Sequence, residues 1–120
     1  MLATGVDLIE IDRIARADAR HGERFRLRFF TEQELAYCRG RYDRMAGRFA
    51  AKEATAKALG TGIGDVSWKD IEVICDSRGR PHLLLHNGAA ALAASLGLKE
   101  WSISLSNTAT HAIALVVALG

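Results

Sequence analysis

The chain predicts an α+β fold, an antiparallel sheet of about five strands with helices packed mainly on one side, and three observations carry that reading. Residues 49 to 59 contain nothing that breaks a helix and set Ala50, Ala51, Ala54 and Ala58 on one small flank that lets another element approach closely. Beyond residue 65 the apolar period changes from helical to alternating. Turn residues at 76 to 79 and 106 to 110 then fold the alternating segments back on themselves. At 120 residues the sequence reads as one domain, 1–120, with a real core but little surface for a deep pocket. A ligand site would then be shared between subunits.

Residues 2 to 9, LATGVDLI, suit a buried strand, and the aspartate inside it has two readings. Asp7 either caps the next helix or meets a cation, because an unpaired buried carboxylate is costly. From Asp12 to about Arg28 apolar residues are sparse, while Arg13, Arg16, Arg20, Arg24 and Arg28 recur at three- and four-residue steps, with Gly22 as a break. Thr31 to Glu34, TEQE, fits a capping box that starts a short helix through Tyr37 and Cys38. A longer helix runs from Arg41 or Tyr42 to Leu59 and leaves through Gly60, Gly62 and Gly64, whose backbone N–H groups can turn toward an anion. A strand is predicted over 66–75 with an irregularity near Lys69, then a hairpin turn and a strand from Pro81 to His86. Asn87 is the expected cap of an alanine-rich helix that Gly97 stops. Strands over 101–106 and 111–119 close the chain.

Composition excludes several classes. With 49% hydrophobic and 25% charged residues the chain is globular, and no apolar run approaches the roughly 18 residues of a membrane span. The first residues carry acids where a signal peptide needs basic ones, so a cytoplasmic protein is expected. Cys38 and Cys75 show neither CxxC spacing nor a zinc set with the four histidines, and both read as reduced packing residues. Net charge is only +2, yet ten arginines against five acids between Arg13 and Arg48 make a local basic field. Nucleic acid is one partner for such a field. Against it, no aromatic residues interleave with the arginines as a stacking platform, and a pI of 8.7 is modest.

Chemistry concentrates around the long helix. Glu53 and Lys57 are i and i+4 neighbours, which reads either as a solvated helical pair or as part of a site. Asp7 and Glu53 are two carboxylates in separate elements with apolar surroundings, and few oxygen ligands completed by water and phosphate are what Mg²⁺ uses. Mn²⁺ accepts the same donors. Lys57 would neutralise charge developing on a leaving phosphate. The glycine cluster lacks GK[ST] and follows a helix, so it is neither a Walker loop nor a dinucleotide fingerprint.

GVDLIEIDRI at 5–14, FTEQEL at 30–35 and above all GRFAAKEATAKALGTGIG at 47–64 resemble the short bacterial 4′-phosphopantetheinyl transferases, the holo-acyl-carrier-protein synthases. DIEVICDSRGRPHL at 70–83 and SISLSNTATHAIA at 102–114 extend the resemblance over nearly the whole chain. The resemblance implies a homotrimer with interfacial active sites, Mg²⁺ held by Asp7 and Glu53, and coenzyme A as substrate. It implies transfer of the phosphopantetheine arm to a serine of apo acyl carrier protein, release of 3′,5′-ADP, and a role in fatty acid biosynthesis. Lys57 matches a lysine on the reacting phosphate and Arg48 one that helps bind coenzyme A, while Gly60, Thr61, Arg80 and Pro81 match ligand-contacting loops. Acyl carrier proteins are acidic, so the arginine stripe is the expected docking face, with Arg13, Arg20 and Arg24 first. The chain departs from the family pattern at Ser106-Asn107, where Ser-His is usual; asparagine can donate to a phosphate oxygen but cannot become cationic.

Overall fold

The computed structural model describes residues 1–61 and 66–120. Strand β1 (Leu2–Glu10) leads into helices α1 (Ile11–His21), α2 (Glu23–Phe29), α3 (Glu32–Cys38) and α4 (Tyr42–Ala58). The hairpin β2 (Ile71–Cys75) and β3 (Pro81–Leu85), helix α5 (Asn87–Ser95) and strands β4 (Glu100–Asn107) and β5 (His111–Leu119) follow. Five strands are described, in two sheets instead of one: β1-β5-β4 and the β2-β3 hairpin, antiparallel throughout. β3 runs beside β4 without sharing a ladder, and a cleft lies between the hairpin and β4. That cleft is the physical reason the sheet does not close.

Helix α4 lies on the inner face of the larger sheet, and small residues allow it. Ala112, Ala114 and Ala118 of β5 face it, all buried, as are Ala50, Ala51, Ala54 and Ala58 on the helix. Gly5 is the closest approach: a Cβ there would run into the carbonyl oxygen of Ala54 and sit 2.8 Å from its carbon. The core continues through Ile9, Ile14, Phe25, Phe30 and Met45.

Local signals mostly fold as the sequence expects. Gly22, with φ of 56°, separates α1 from α2, and Thr31 and Glu34 form the reciprocal capping box. Two expectations differ. Trp68–Asp70 is a 3₁₀ turn closed by Ser67 and Asp70, so the strand starts only at Ile71. Asn87 is not the cap of α5; it takes a left-handed φ of 43°, which asparagine tolerates better than most residues, and its amide donates to Asp70 Oδ1 at 3.3 Å. Among the described residues no helix is long and apolar enough to cross a membrane.

Candidate active site

Alternation along β1 turns Ala3, Gly5, Asp7 and Ile9 toward α4 and Leu2, Val6 and Leu8 away from it. The Gly5–Ala54 contact thus brings Asp7 against the C-terminal half of the helix. Lys57 Nζ donates to the Val6 carbonyl at 2.9 Å and lies 3.4 Å from Asp7 Oδ1. Asp7 does not cap α1, whose N-cap is Glu10. Glu53 has a raised pKa, first because burial disfavours its charge and second because Asp7 repels it, while Lys57 and Arg13 oppose the rise. Two carboxylates, a lysine and Arg13 therefore share one electrostatic neighbourhood.

A second constellation lies nearer the start of α4. Arg48 is 5% exposed and borders a cleft of about 500 Å³ with Tyr37, Cys75, Arg80, Pro81 and Ser104. Its guanidinium carbon sits 4.3 Å from the Tyr37 ring centroid, Nη2 donates to Cys75 Sγ at 3.0 Å, and Nη1 reaches the Arg44 carbonyl at 3.5 Å. Its Nε is buried with no hydrogen-bond partner among the described residues. A buried guanidinium with an unspent donor suits an anion. An adjoining hollow of about 270 Å³ takes in Arg41, Arg44, Ser106 and Asn107, so Asn107 shares the Arg48 region.

Asp76 builds the turn at the mouth of the cleft. Its Oδ1 accepts from the amides of Arg78 at 2.9 Å and Arg80 at 3.0 Å, and Oδ2 lies 3.2 Å from His82 Nε2. These bonds, that from Arg80 foremost, hold its carboxyl below the ordinary range.

The glycine turn differs from expectation in its amides. Gly60 N–H donates to the Lys57 carbonyl and Thr61 N–H to the Ala56 carbonyl, closing α4, so neither amide is turned to an anion. Gly62 and Gly64 lie outside the described residues. Arg13 and Arg20 stand on α1, and Arg24 on α2 borders a small hollow with His21, Phe25, Arg28 and Phe29; all three arginines are exposed.

The profile of the 4′-phosphopantetheinyl transferase superfamily matches residues 3–116. The chain belongs to that superfamily. It is 50% identical, over the full length of both chains, to the holo-[acyl-carrier-protein] synthase of Herpetosiphon aurantiacus, and 49% identical to that of Moorella thermoacetica over 99% of this chain and 93% of the relative. Its fold superposes with a TM-score of 0.89 and 32% identity on the Helicobacter pylori holo-[acyl-carrier-protein] synthase in complex with coenzyme A, covering 97% of this chain and 99% of that one. The Neisseria meningitidis synthase matches with the same TM-score at 34% identity, over 98% of each chain.

Within this phosphopantetheinyl transferase fold, Tyr37, Arg44 and Cys75 border the hollows around Arg48, and Asp76 holds the Arg80 turn, roles the sequence did not single out. Arg44 and Arg48 at i and i+4 were the available signal. Tyr37 and Cys75 reach the cleft only through tertiary folding.

Proposed function

We propose that the chain, as one domain over residues 1–120, transfers the 4′-phosphopantetheine arm of coenzyme A to a serine of apo acyl carrier protein, releasing 3′,5′-ADP. The carrier so loaded would serve fatty acid biosynthesis in the cytoplasm. One observation carries the reading: Asp7 and Glu53, from separate elements, act on each other electrostatically beside the Lys57 amine. Their repulsion is what a divalent cation would relieve. Two carboxylates are few donors, and an ion held by them would be completed by water and phosphate oxygens, as Mg²⁺ accepts. Asp7 and Glu53 would hold Mg²⁺, which when bound supplies charge neutralisation along the diphosphate.

Lys57 offers an ammonium to the leaving phosphate, and its two bonds to β1 hold it next to Asp7. The serine proton would pass either to Glu53 or to a water beside it. Arg48 and Arg80 lie nine residues and more from Lys57 along the chain, and Arg48 is roughly 13 Å from it along α4, so their cleft suits a phosphate at the nucleotide end of coenzyme A. Asn107 adds a neutral donor there, and Gly60 and Thr61 shape the far end of α4. Exposed Arg13, Arg20 and Arg24 form a basic face for the acidic carrier. Arg13, which also bears on Glu53, links that face to the carboxylates.

The outer face of β1 and β5 is apolar, with Leu2, Val6, Leu8, Ile113, Leu115 and Leu119 exposed, which supports self-association. The resemblance supplies the number, three. The test is mass spectrometry of apo acyl carrier protein incubated with coenzyme A, Mg²⁺ and this protein. A gain of one phosphopantetheine arm is expected, lost with EDTA and in Asp7→Ala and Glu53→Ala; an unchanged carrier mass would sink the assignment.

A further inference from the structure

We propose that Cys75 is a modification site, a thiol that forms a mixed disulfide with a small carboxylate-bearing disulfide and thereby closes the Arg48 cleft to coenzyme A. The competition rests on the reading of that cleft given above; the reactivity of Cys75 does not.

Three features of the cleft carry the inference. Cys75 ends β2 at the cleft wall and is only partly buried, so a small molecule entering the cleft meets its sulfur. Arg48 Nη2 stands 3.0 Å from Sγ, where its charge offsets negative charge on an attacking sulfur. A partly exposed thiol in an electropositive setting is the pattern of a reactive cysteine. The third feature points to the ligand: Arg48, 95% buried by its 5% exposure, keeps an unpartnered Nε in the same wall, and Arg80 adds a second guanidinium. Those donors pair with carboxylates as they do with phosphates, so a carboxylate-bearing disulfide is drawn to the thiol.

The chemistry balances without any other oxidant. Cys75 gives its proton to water, and Sγ attacks one sulfur of the disulfide. The disulfide S–S bond breaks as the new S–S bond forms, and the other half leaves as a thiolate that takes up a proton. The Cys75 sulfur is oxidised and the departing sulfur reduced. The attached half then fills space between Arg48, Arg80 and Ser104 and engages the arginines. Cys38 is an internal comparison: it is fully buried, and burial pushes its pKa up to about 11.

The experiment treats the full chain with glutathione disulfide, maps the adduct by peptide mass spectrometry, and titrates coenzyme A calorimetrically before treatment, after it, and after dithiothreitol. One glutathione per chain is expected on Cys75 and none on Cys38. Coenzyme A affinity should fall by at least about tenfold and return on reduction. Cys75→Ser should take no adduct and show the same affinity before and after treatment, while Cys38→Ser still reacts. Cystamine, which is cationic, should modify Cys75 more slowly. Absence of the Cys75 adduct, or a modified protein that binds coenzyme A as tightly as the untreated one, overturns the proposal. An untreated protein that fails to bind coenzyme A refutes the cleft assignment and the competition with it, and the adduct map then judges Cys75 alone.

Discussion

Glu53 is held in a state that costs the folded chain stability. Its pKa is raised by burial and then by Asp7, so between the unfolded and folded values the native state binds more protons. Stability therefore falls as pH rises through that window, and the penalty is fully present above the folded pKa. Glu53→Gln removes it. In EDTA at pH 8 the variant should melt above the parent. The gap should close toward pH 4, where the parent carboxyl is also protonated. Added Mg²⁺ should raise the parent Tm and leave the variant unmoved; a variant no more stable than the parent in EDTA at pH 8 would show that the two carboxylates do not strain each other. Asp76 acts differently, because its bonds hold the Arg80 turn and do not touch the carboxylate pair. Asp76→Ala should raise KM for coenzyme A roughly fivefold with kcat retained, read from initial rates. A fall in kcat with KM unchanged would place Asp76 in the chemical step.

At the scale of elements, the site depends on how closely α4 can lie on β1. Gly5→Ala forces a methyl group into the Ala54 carbonyl, and such overpacking costs about 1–3 kcal/mol. Because backbone meets backbone there, relief must come from moving the strand, which carries Asp7. Transferase activity should thus drop more than stability alone explains, measured at a temperature where the variant remains folded. The other flank of α4 is fixed by Lys52, whose Nζ meets Glu34 Oε1 at 2.8 Å, the Trp68 carbonyl at 3.1 Å and the Ile71 carbonyl at 2.5 Å. Desolvation lowers its pKa against the pull of Glu34, yet removing it leaves a buried carboxylate without its partner. Lys52→Met should cost about 3–5 kcal/mol in urea unfolding. The sequence made α4 legible through its alanine flank, and the TEQE box announced α3. Lys52 was not legible, since it shares a row with Arg48 and Thr55 and the carbonyls that bury it lie 16 and 19 residues away. Asp7 and Glu53 could be read as a pair because carboxylates in apolar surroundings need a reason. The Arg48–Cys75 contact spans 27 residues, and no local period encodes it. The division into two sheets escaped for the same reason: alternation marks a strand without naming its neighbour.

The whole molecule leaves one surface unexplained by a single chain. β1 and β5 pair in register, Val6 beside Leu115 and Leu8 beside Ile113, so the exposed apolar side chains form one continuous outer patch. Leu8 is 63% exposed and Leu115 45%, on the face opposite α4. Covering such a leucine contributes about 1.5–3 kcal/mol, and a patch this continuous would otherwise invite uncontrolled association. The inner face of the same strands carries Asp7, so contacts made on the outside fix the strand that presents the carboxylate inside. Leu115→Lys, at the centre of the patch, puts a charge where the apolar faces would meet. It should shift the mass measured by light scattering from that of the self-associated protein to that of a monomer, and make Tm independent of protein concentration. Transferase activity should fall by about tenfold or more, because the carboxylate strand loses its outer support and any site shared between subunits is divided. Leu8→Glu approaches the same patch from β1 and should have the same effect. If both variants keep the parent mass, the outer face is not the interface, and the shallow clefts of a single chain must suffice for coenzyme A.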